Sequence, residues 1–217
     1  MPFDPLKDFR AVTQTMAVPM GIAVHPAVPA KNLAELIELA RAKPGVLSYG
    51  TPGIGTTHHV MSEMFRLGAR IDISHAPFQG GAPALAAATG GHVSMVYGNT
   101  TEFAPAVKSG KLRAIVVTSA DRADGLADVT TMREADFPEL EAVNWSGIVV
   151  PGATPPAVVA RLNAELVRAL RSADIQEKFK GHGMTAIPST AEQFATFLQA
   201  ESARYTKAVR EAGVRAE

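Results

Sequence analysis

A glycine-rich segment between an apolar stretch and a helical pattern is the part of this sequence best suited to binding chemistry. It reads YGTPGIGTTHH over residues 49–59, and apolar residues return at helical spacing from Val60 onwards. Pro52, Gly53 and Gly55 exclude regular structure within the segment. A strand, a loop and a helix start leave backbone N–H groups unpaired and direct the positive end of the helix dipole outwards. The segment therefore predicts an anion site.

The residue types of this loop indicate which anion it would hold. The segment TPGIGT has neither the lysine nor the spacing of a nucleoside triphosphate loop, and it is not G-x-G-x-x-G. Thr51, Thr56 and Thr57 offer hydroxyl donors, which suit a carboxylate better than a triphosphate with its metal. A glycine turn that only connects a strand to a helix is an equally good interpretation of this loop by itself.

Two further loops repeat the same pattern. Residues 77–83 read PFQGGAP between a predicted strand and an alanine-rich helix, and residues 97–101 read YGNTT at the end of another predicted strand. In an open α/β sheet, ligands bind outside the carboxyl ends of the strands. Three small, polar, glycine-bearing loops at one such edge favour a shared binding site.

The adjacent histidines of the first loop raise the alternative of an enzyme. A hydrolase or metal-dependent enzyme would use His58 or His59 together with Ser62 or a bound metal, and His75 or His92 could supply a further ligand. However, Ser62 is predicted inside a helix rather than on a sharp glycine-flanked turn. We therefore favour histidines that orient the loop or a ligand, and we predict no catalytic residue, no metal and no cofactor.

The surrounding elements predict an α/β fold. Strands at 20–24, 46–50, 71–75, 92–97 and 112–118 alternate with helices at 32–43, 56–67, 81–89 and 101–109. Strands joined by helices predict a largely parallel sheet covered on both faces. The rest is mostly helical, with strands at 147–150 and 184–187 and helices at 131–135, 155–171, 173–181 and 191–212, the last opened by a Ser189-x-x-Glu192 capping box.

The overall composition narrows the classes of function. Lysine plus arginine and aspartate plus glutamate are equal at 21 each, so no net charge attracts nucleic acid or an anionic membrane. The chain has no cysteine, which excludes disulfides and thiolate chemistry. The first residues, MPFDPLKDF, carry no basic and apolar export signal. Taken alone, these residues lead us to expect no export of the 217-residue polypeptide.

Several segments together resemble one family. YGTPGIGTTHHVMSEMF is similar to the Y-G-S-P-G-x-G-T-x-x-H-x-x-x-E-x-F segment of the Bug (TctC-like) solute-binding proteins of tripartite tricarboxylate transporters. Four further segments match the family in the same order along the chain. They are DPLKDFRAVT near the start, then HAPFQGGAPALAAATGGHV, GKLRAIVVTSADR and NWSGIVVPGATPPAVVARLNAEL. The resemblance covers nearly the whole chain.

The resemblance implies a type II periplasmic-binding-protein fold, with lobe two at 20–145 and lobe one formed by 1–19 and 146–217. It implies a periplasmic protein, not an enzyme, that delivers a small carboxylate (a di- or tricarboxylate, an aromatic carboxylate or an amino acid) to the permease subunits. The ligand-facing positions it implies are Thr51, Gly53, Gly55 and Thr56, with His59 supporting them, then Gly80, Gly81 and Ala82, and finally Asn99. Gly98 departs from the aspartate that the family usually has there, so ligand identity does not transfer.

Family members carry further elements before DPLKDF, so the resemblance also implies that lobe one is truncated here. Helix 155–171 would then leave an apolar stripe without a sheet beneath it, and we expect self-association through this lobe. A further alternative is an intracellular effector-binding domain of the same fold, as in transcription regulators. It is disfavoured because the sequence shows no helix-turn-helix segment and no basic face for nucleic acid.

Overall fold

The computed structural model describes residues 3–214 and shows a mixed α/β protein. Its strands are β1 (Phe9–Val24), β2 (Ser48–Thr51), β3 (Ser74–Pro77), β4 (Met95–Asn99), β5 (Arg113–Val117), β6 (Val143–Pro151) and β7 (Thr185–Ala186). Its helices are α1 (Leu33–Ala42), α2 (Thr57–Gly68), α3 (Gly81–Thr89), α4 (Thr100–Lys108), α5 (Pro156–Leu170), α6 (Ala173–Gly181) and α7 (Ala191–Ala212). Among residues 3–214, no helix combines the length and the apolar character that crossing a bilayer requires.

The chain divides into two compact units. The first unit contains the residues up to Val18 together with Trp145–Lys207, and the second contains Pro19–Asn144 together with the residues from Ala208 onwards. The sequence-based division into lobe two at 20–145 and lobe one at 1–19 and 146–217 stays a prediction.

The second unit contains a sheet in the order β3-β2-β4-β1-β5. Strand β2 pairs in parallel with β3 and β4, as the alternation of strands and helices predicts. Strand β1 is different, because it runs antiparallel to both β4 and β5 and extends over 16 residues rather than the predicted five. The apolar pattern of a strand shows that it is buried but not whether its neighbours run parallel or antiparallel to it. The sequence pattern therefore could not predict the antiparallel pairing of β1.

Helices cover both faces of this sheet. The consecutive residues Met95, Val96 and Tyr97 are all at most 3% exposed, although successive side chains point to opposite faces. On one face, Val96 belongs to an apolar cluster with residues of α3 and α4. On the other face, Tyr49, the register partner of Met95, reaches Glu63 of α2 through its hydroxyl. Burial on both faces explains the apolar runs of these strands.

The first unit is built from the start of β1, from β6 and β7, and from helices α5, α6 and most of α7. The predicted capping box of α7 is displaced by one residue. Thr190 and Gln193 exchange hydrogen bonds between side chain and backbone at the helix start. Ser189 instead bonds Thr13 through its N–H and its carbonyl oxygen, so a long-range pairing occupies the residue that the sequence pattern selected.

The short helix predicted at 131–135 is absent from the structure. Thr131 and Glu134 do exchange side-chain and backbone hydrogen bonds, as at a helix start. The turn does not continue, because Asp136 adopts a left-handed φ of 65°, and a three-residue 3-10 helix follows at Pro138–Leu140. A local capping signal was therefore present without the helix that it usually precedes.

Candidate functional site

The three candidate loops follow three neighbouring parallel strands. Helix α2 begins after β2, α3 after β3 and α4 after β4, and β2 lies between the other two strands. The carboxyl ends of these strands therefore meet at one edge of the sheet. The Phe78 N–H donates to the Thr51 carbonyl at 3.0 Å, and the Gly80 N–H donates to the Pro52 carbonyl at 3.0 Å. The first two loops thus form one hydrogen-bonded unit.

The first loop is held by the start of helix α2. The hydroxyl of Thr56 accepts from the His59 N–H at 3.3 Å, as a helix N-cap does, and donates to the Gly53 carbonyl at 2.8 Å. Gly53 and Gly55 have φ angles of 146° and 75°, which other residues rarely adopt. The N–H of Gly55 donates to Nδ1 of His59 at 3.1 Å. His59 therefore fixes the loop from the first turn of the helix.

Thr51 is placed beneath the loop rather than on its surface. Its side chain is fully buried, and its hydroxyl lies 2.7 Å from Nε2 of His75. The hydroxyls of Thr51 and Thr56 and the N–H of Gly55 all have partners within the protein. Their direct contact with a ligand stays a prediction, and the bonds present here give them a role in shaping the loop.

A stack of aromatic rings supports the loop from below. The ring centroids of His59 and His75 lie 3.9 Å apart with an angle of 12° between the ring planes, and the Tyr49 ring also stacks on His75 at 4.9 Å. The Tyr49 hydroxyl donates to Glu63 at 2.5 Å, and Arg66 pairs with the same carboxylate at 2.8 Å. Glu63 and Arg66 both belong to α2, so these bonds attach the ring stack to that helix.

Burial keeps the stacked histidines neutral. It lowers the pKa of His59, and burial together with the neighbouring His59 lowers the pKa of His75 to about 4. Burial also lowers the pKa of His58, although the hydrogen bond to Asn99 opposes this effect. Because Nδ1 of His59 accepts a hydrogen bond from the Gly55 N–H, the neutral ring carries its own proton on Nε2.

The third loop contributes a network centred on Asn99. Its Nδ2 donates to Glu102 at 3.0 Å, so its Oδ1 faces the other way. That oxygen accepts from Nδ2 of Asn144 at 3.1 Å and lies 3.0 Å from Nε2 of His58. An amide oxygen only accepts, so His58 carries its proton on Nε2. The side chain of Asn99 thereby connects α2 to the third loop.

Unpaired backbone donors gather where α2 and α3 begin. The N–H groups of Thr57 and His58 open α2, and those of Gly81 and Ala82 open α3. None of these four has a hydrogen-bond acceptor within residues 3–214. Gly80, with a φ of 115°, caps α3 without a side-chain oxygen to satisfy these donors. Two helix N-termini at one sheet edge therefore present donors and positive dipole ends to an anion.

The residues of the enzyme alternative are arranged differently. Ser62 is 1% exposed, and its hydroxyl donates to the His58 carbonyl at 2.6 Å. This placement inside α2 does not give a nucleophile access to a substrate. In the described part of the chain, no group of three or more acidic or histidine side chains is arranged to hold a metal ion.

Sequence reasoning missed Glu102 and Asn144, and it considered His75 only as a metal ligand and not as part of a ring stack. His75 and Asn144 come from distant parts of the sequence, and only the sheet register brings them to the loops. Glu102 could have been found, because Asn99-x-x-Glu102 has the spacing of a capping pair at a helix start. The structure uses this spacing for a hydrogen bond between the two side chains.

A protein family and several known proteins are similar to this chain. A sequence model described as the tripartite tricarboxylate transporter family receptor (TctC) matches residues 1–214. The protein BugT of Bordetella pertussis is 30% identical over 215 residues, which cover 99% of this chain and 66% of BugT. The chain therefore spans slightly less than two thirds of the length of that relative.

Solved structures show the same fold. Rpa4515 from R. palustris, solved with adipate, matches with a TM-score of 0.89 and 30% identity over 99% of this chain and 72% of its own. The periplasmic binding protein BugD matches with a TM-score of 0.87 and 27% identity over 99% of this chain and 73% of its own.

Proposed function

The chain belongs to the tripartite tricarboxylate transporter receptor family, and from that premise we propose that it captures a small carboxylate for such a transporter. The observation that carries this proposal is the pair of unpaired N–H groups of Thr57 and His58 at the start of α2, with two further unpaired N–H groups nearby at the start of α3. A carboxylate has two oxygens that accept several hydrogen bonds, and charge-assisted bonds of this kind are stronger than neutral ones. Helix N-termini favour such an anion further.

Family membership confirms the resemblance seen in the sequence and the α/β fold of the periplasmic-binding-protein type. It also confirms that the chain is not an enzyme, since the family consists of solute-binding receptors. The permease subunits as partners, and a location in the periplasm, are parts of our proposal. They follow from the family description and from relatives such as BugD.

The chemical character of the ligand is supported by a relative and by the site. Rpa4515 was solved with adipate, a dicarboxylate. In this chain the histidines beside the loops are neutral near pH 7, so backbone donors rather than imidazolium charges would hold a carboxylate. The ligand would lie over Thr57 and His58 of α2, with Gly81 and Ala82 of α3 nearby.

The proposal is tested by calorimetry with one donor removed. Thr57 is the first residue of α2, where proline is accommodated, and the preceding Thr56 already has the extended conformation that proline requires. Thr57→Pro therefore deletes one N–H without breaking the helix. Loss of one charge-assisted hydrogen bond, about 1.5–3 kcal/mol, should weaken carboxylate binding by about 10- to 150-fold.

The matched control is Thr57→Ala, which removes the hydroxyl and keeps the N–H, so the difference between the two variants isolates the contribution of the backbone donor. Both variants and the wild type are titrated with mono-, di- and tricarboxylates, aromatic carboxylates and amino acids, after circular dichroism has shown that they are folded. Equal affinity of the proline and alanine variants would contradict the role of the backbone donor. A folded wild-type chain that binds none of these compounds would contradict the proposed function itself.

A further inference from the structure

The carboxylate of Glu102 lies between the second and third loops. Glu102 is in the first turn of α4, and its Oε1 accepts from Nδ2 of Asn99 at 3.0 Å. Its other oxygen lies against the first residue of α3. A Cβ atom placed on Gly81 would be only 2.4 Å from Oε2, and one placed on Gly98 would be 3.7 Å from the same oxygen. Two glycines thus leave the space that this carboxylate fills.

The orientation of this carboxylate is fixed by its neighbours. Asn144 and His58 both approach Oδ1 of Asn99, which turns the amide nitrogen of Asn99 towards Glu102. The amide cannot be reversed without placing its oxygen beside the carboxylate and its nitrogen beside another donor. The protein therefore holds a negative charge of its own at this point, although Glu102 is an exposed residue.

This negative charge changes what the second loop can accept. The start of α3 offers the N–H groups of Gly81 and Ala82, which by themselves favour an anion. The Glu102 carboxylate already stands beside them, so a ligand carboxylate at the same place would meet a like charge. A positively charged hydrogen-bond donor would instead gain a charge-assisted bond to Oε2. The first turn of α2 contains no acidic residue of its own, although Glu102 is close enough to act electrostatically on the His58 ring.

We propose that Glu102 selects ligands that carry an ammonium group at one end and a carboxylate at the other, and disfavours plain dicarboxylates. This inference rests on the proposed function. The ligand carboxylate binds at the start of α2, at Thr57 and His58, and its ammonium group faces Glu102. Glu102 is thus a residue that determines specificity, and the glycines at 81 and 98 leave room for it.

Pairs of ligands with equal chain length test this inference. Succinate, glutarate and adipate are each compared with the compound in which one carboxylate is exchanged for an ammonium group: β-alanine, 4-aminobutyrate and 5-aminopentanoate. For the wild type, we expect at least one pair in which the amino compound binds at least tenfold more tightly. In Glu102→Gln, which keeps an acceptor for Asn99 without the charge, this preference should fall at least tenfold.

Two further variants complete the experiment. Glu102→Ala removes the side chain and should lose the preference as well. Glu38→Gln removes one negative charge from an exposed position on α1 and should keep the wild-type preference. The inference is overturned if the wild type prefers the dicarboxylates, if the preference is the same in Glu102→Gln, or if no pair binds to any of the variants. If carboxylates bind and Glu102→Gln keeps the wild-type preference for amino compounds, only the role of Glu102 is refuted. If the wild type binds no carboxylate at all, the proposed function is refuted.

Discussion

The stacked histidines predict a specific loss of stability in mild acid. His75 stacks with both His59 and Tyr49, its Nε2 is 2.7 Å from the Thr51 hydroxyl, and its pKa is lowered to about 4. Burial and the neighbouring His59 lower this pKa, while the Glu63 carboxylate on α2 opposes them. Protonation of His75 would place a charge inside the stack, so the folded state resists it.

The sign and size of the effect follow from linkage. The folded pKa of His75 is depressed from 6.5, so the unfolded chain binds more protons between pH 6.5 and 4. Stability contributed by the neutral ring is complete above about pH 7, falls as the pH drops through this window, and is lost below about pH 4. Between pH 7 and pH 5 this single group gives a loss of about 2 kcal/mol, which water around the partly exposed ring reduces to about 1–2 kcal/mol.

Urea unfolding of wild type and His75→Gln at pH 7 and pH 5 measures this loss. The free energy of unfolding of the wild type should fall by about 1–2 kcal/mol more than that of the variant over this interval. Comparing the change with pH, rather than the stability itself, cancels any constant effect of the substitution. His92→Gln, which replaces an exposed histidine of the same unit, should behave as the wild type does. An equal change with pH in wild type and His75→Gln would refute the reasoning.

Two further predictions concern packing. On α5, Val158 and Leu162 are 45% and 37% exposed, so we expect concentration-dependent self-association in light scattering. Substitution of both residues by glutamate should give a monomer. Val46→Glu, the control, should still self-associate. A wild type that is monomeric at all concentrations would contradict the predicted self-association. A Cβ atom on Gly21 would lie 2.4 Å from the Val116 carbonyl oxygen, so Gly21→Ala should lower the free energy of unfolding by about 1–3 kcal/mol. Gly181→Ala, which has open space around it, is the control, and equal stability of both variants would refute the packing argument.

The sequence predicted those parts of the fold that depend on local patterns. Helix α1 begins where Asn32 and Glu35 indicated, and the Asn32 side chain accepts from the Glu35 N–H at 2.9 Å. The alternation of strands and helices also predicted that the three loops follow parallel strands. Both features follow from short-range periodicity and from the geometry of crossover connections.

Features that depend on contacts between distant residues could not be predicted. The stack of His59 and His75 requires the register in which Tyr49 lies beside His75 on the neighbouring strand. The cap of α7 moved from Ser189 to Thr190 because Thr13 occupies Ser189. In both cases a side chain that looked available in the sequence is engaged by a partner far away in the chain.

Internal hydrogen bonds also engage the polar groups of the glycine loop. Its polar side chains suggested direct contacts with a ligand, yet Thr51, Thr56 and the Gly55 N–H are bonded within the protein. What remains available are the N–H groups at the starts of two helices, which any sequence could supply at those positions. Backbone donors recognise an anion but not its identity, because every residue carries the same N–H group. Discrimination between ligands must then come from side chains at the edge of the loops, and the Glu102 carboxylate has the charge and the position for that role.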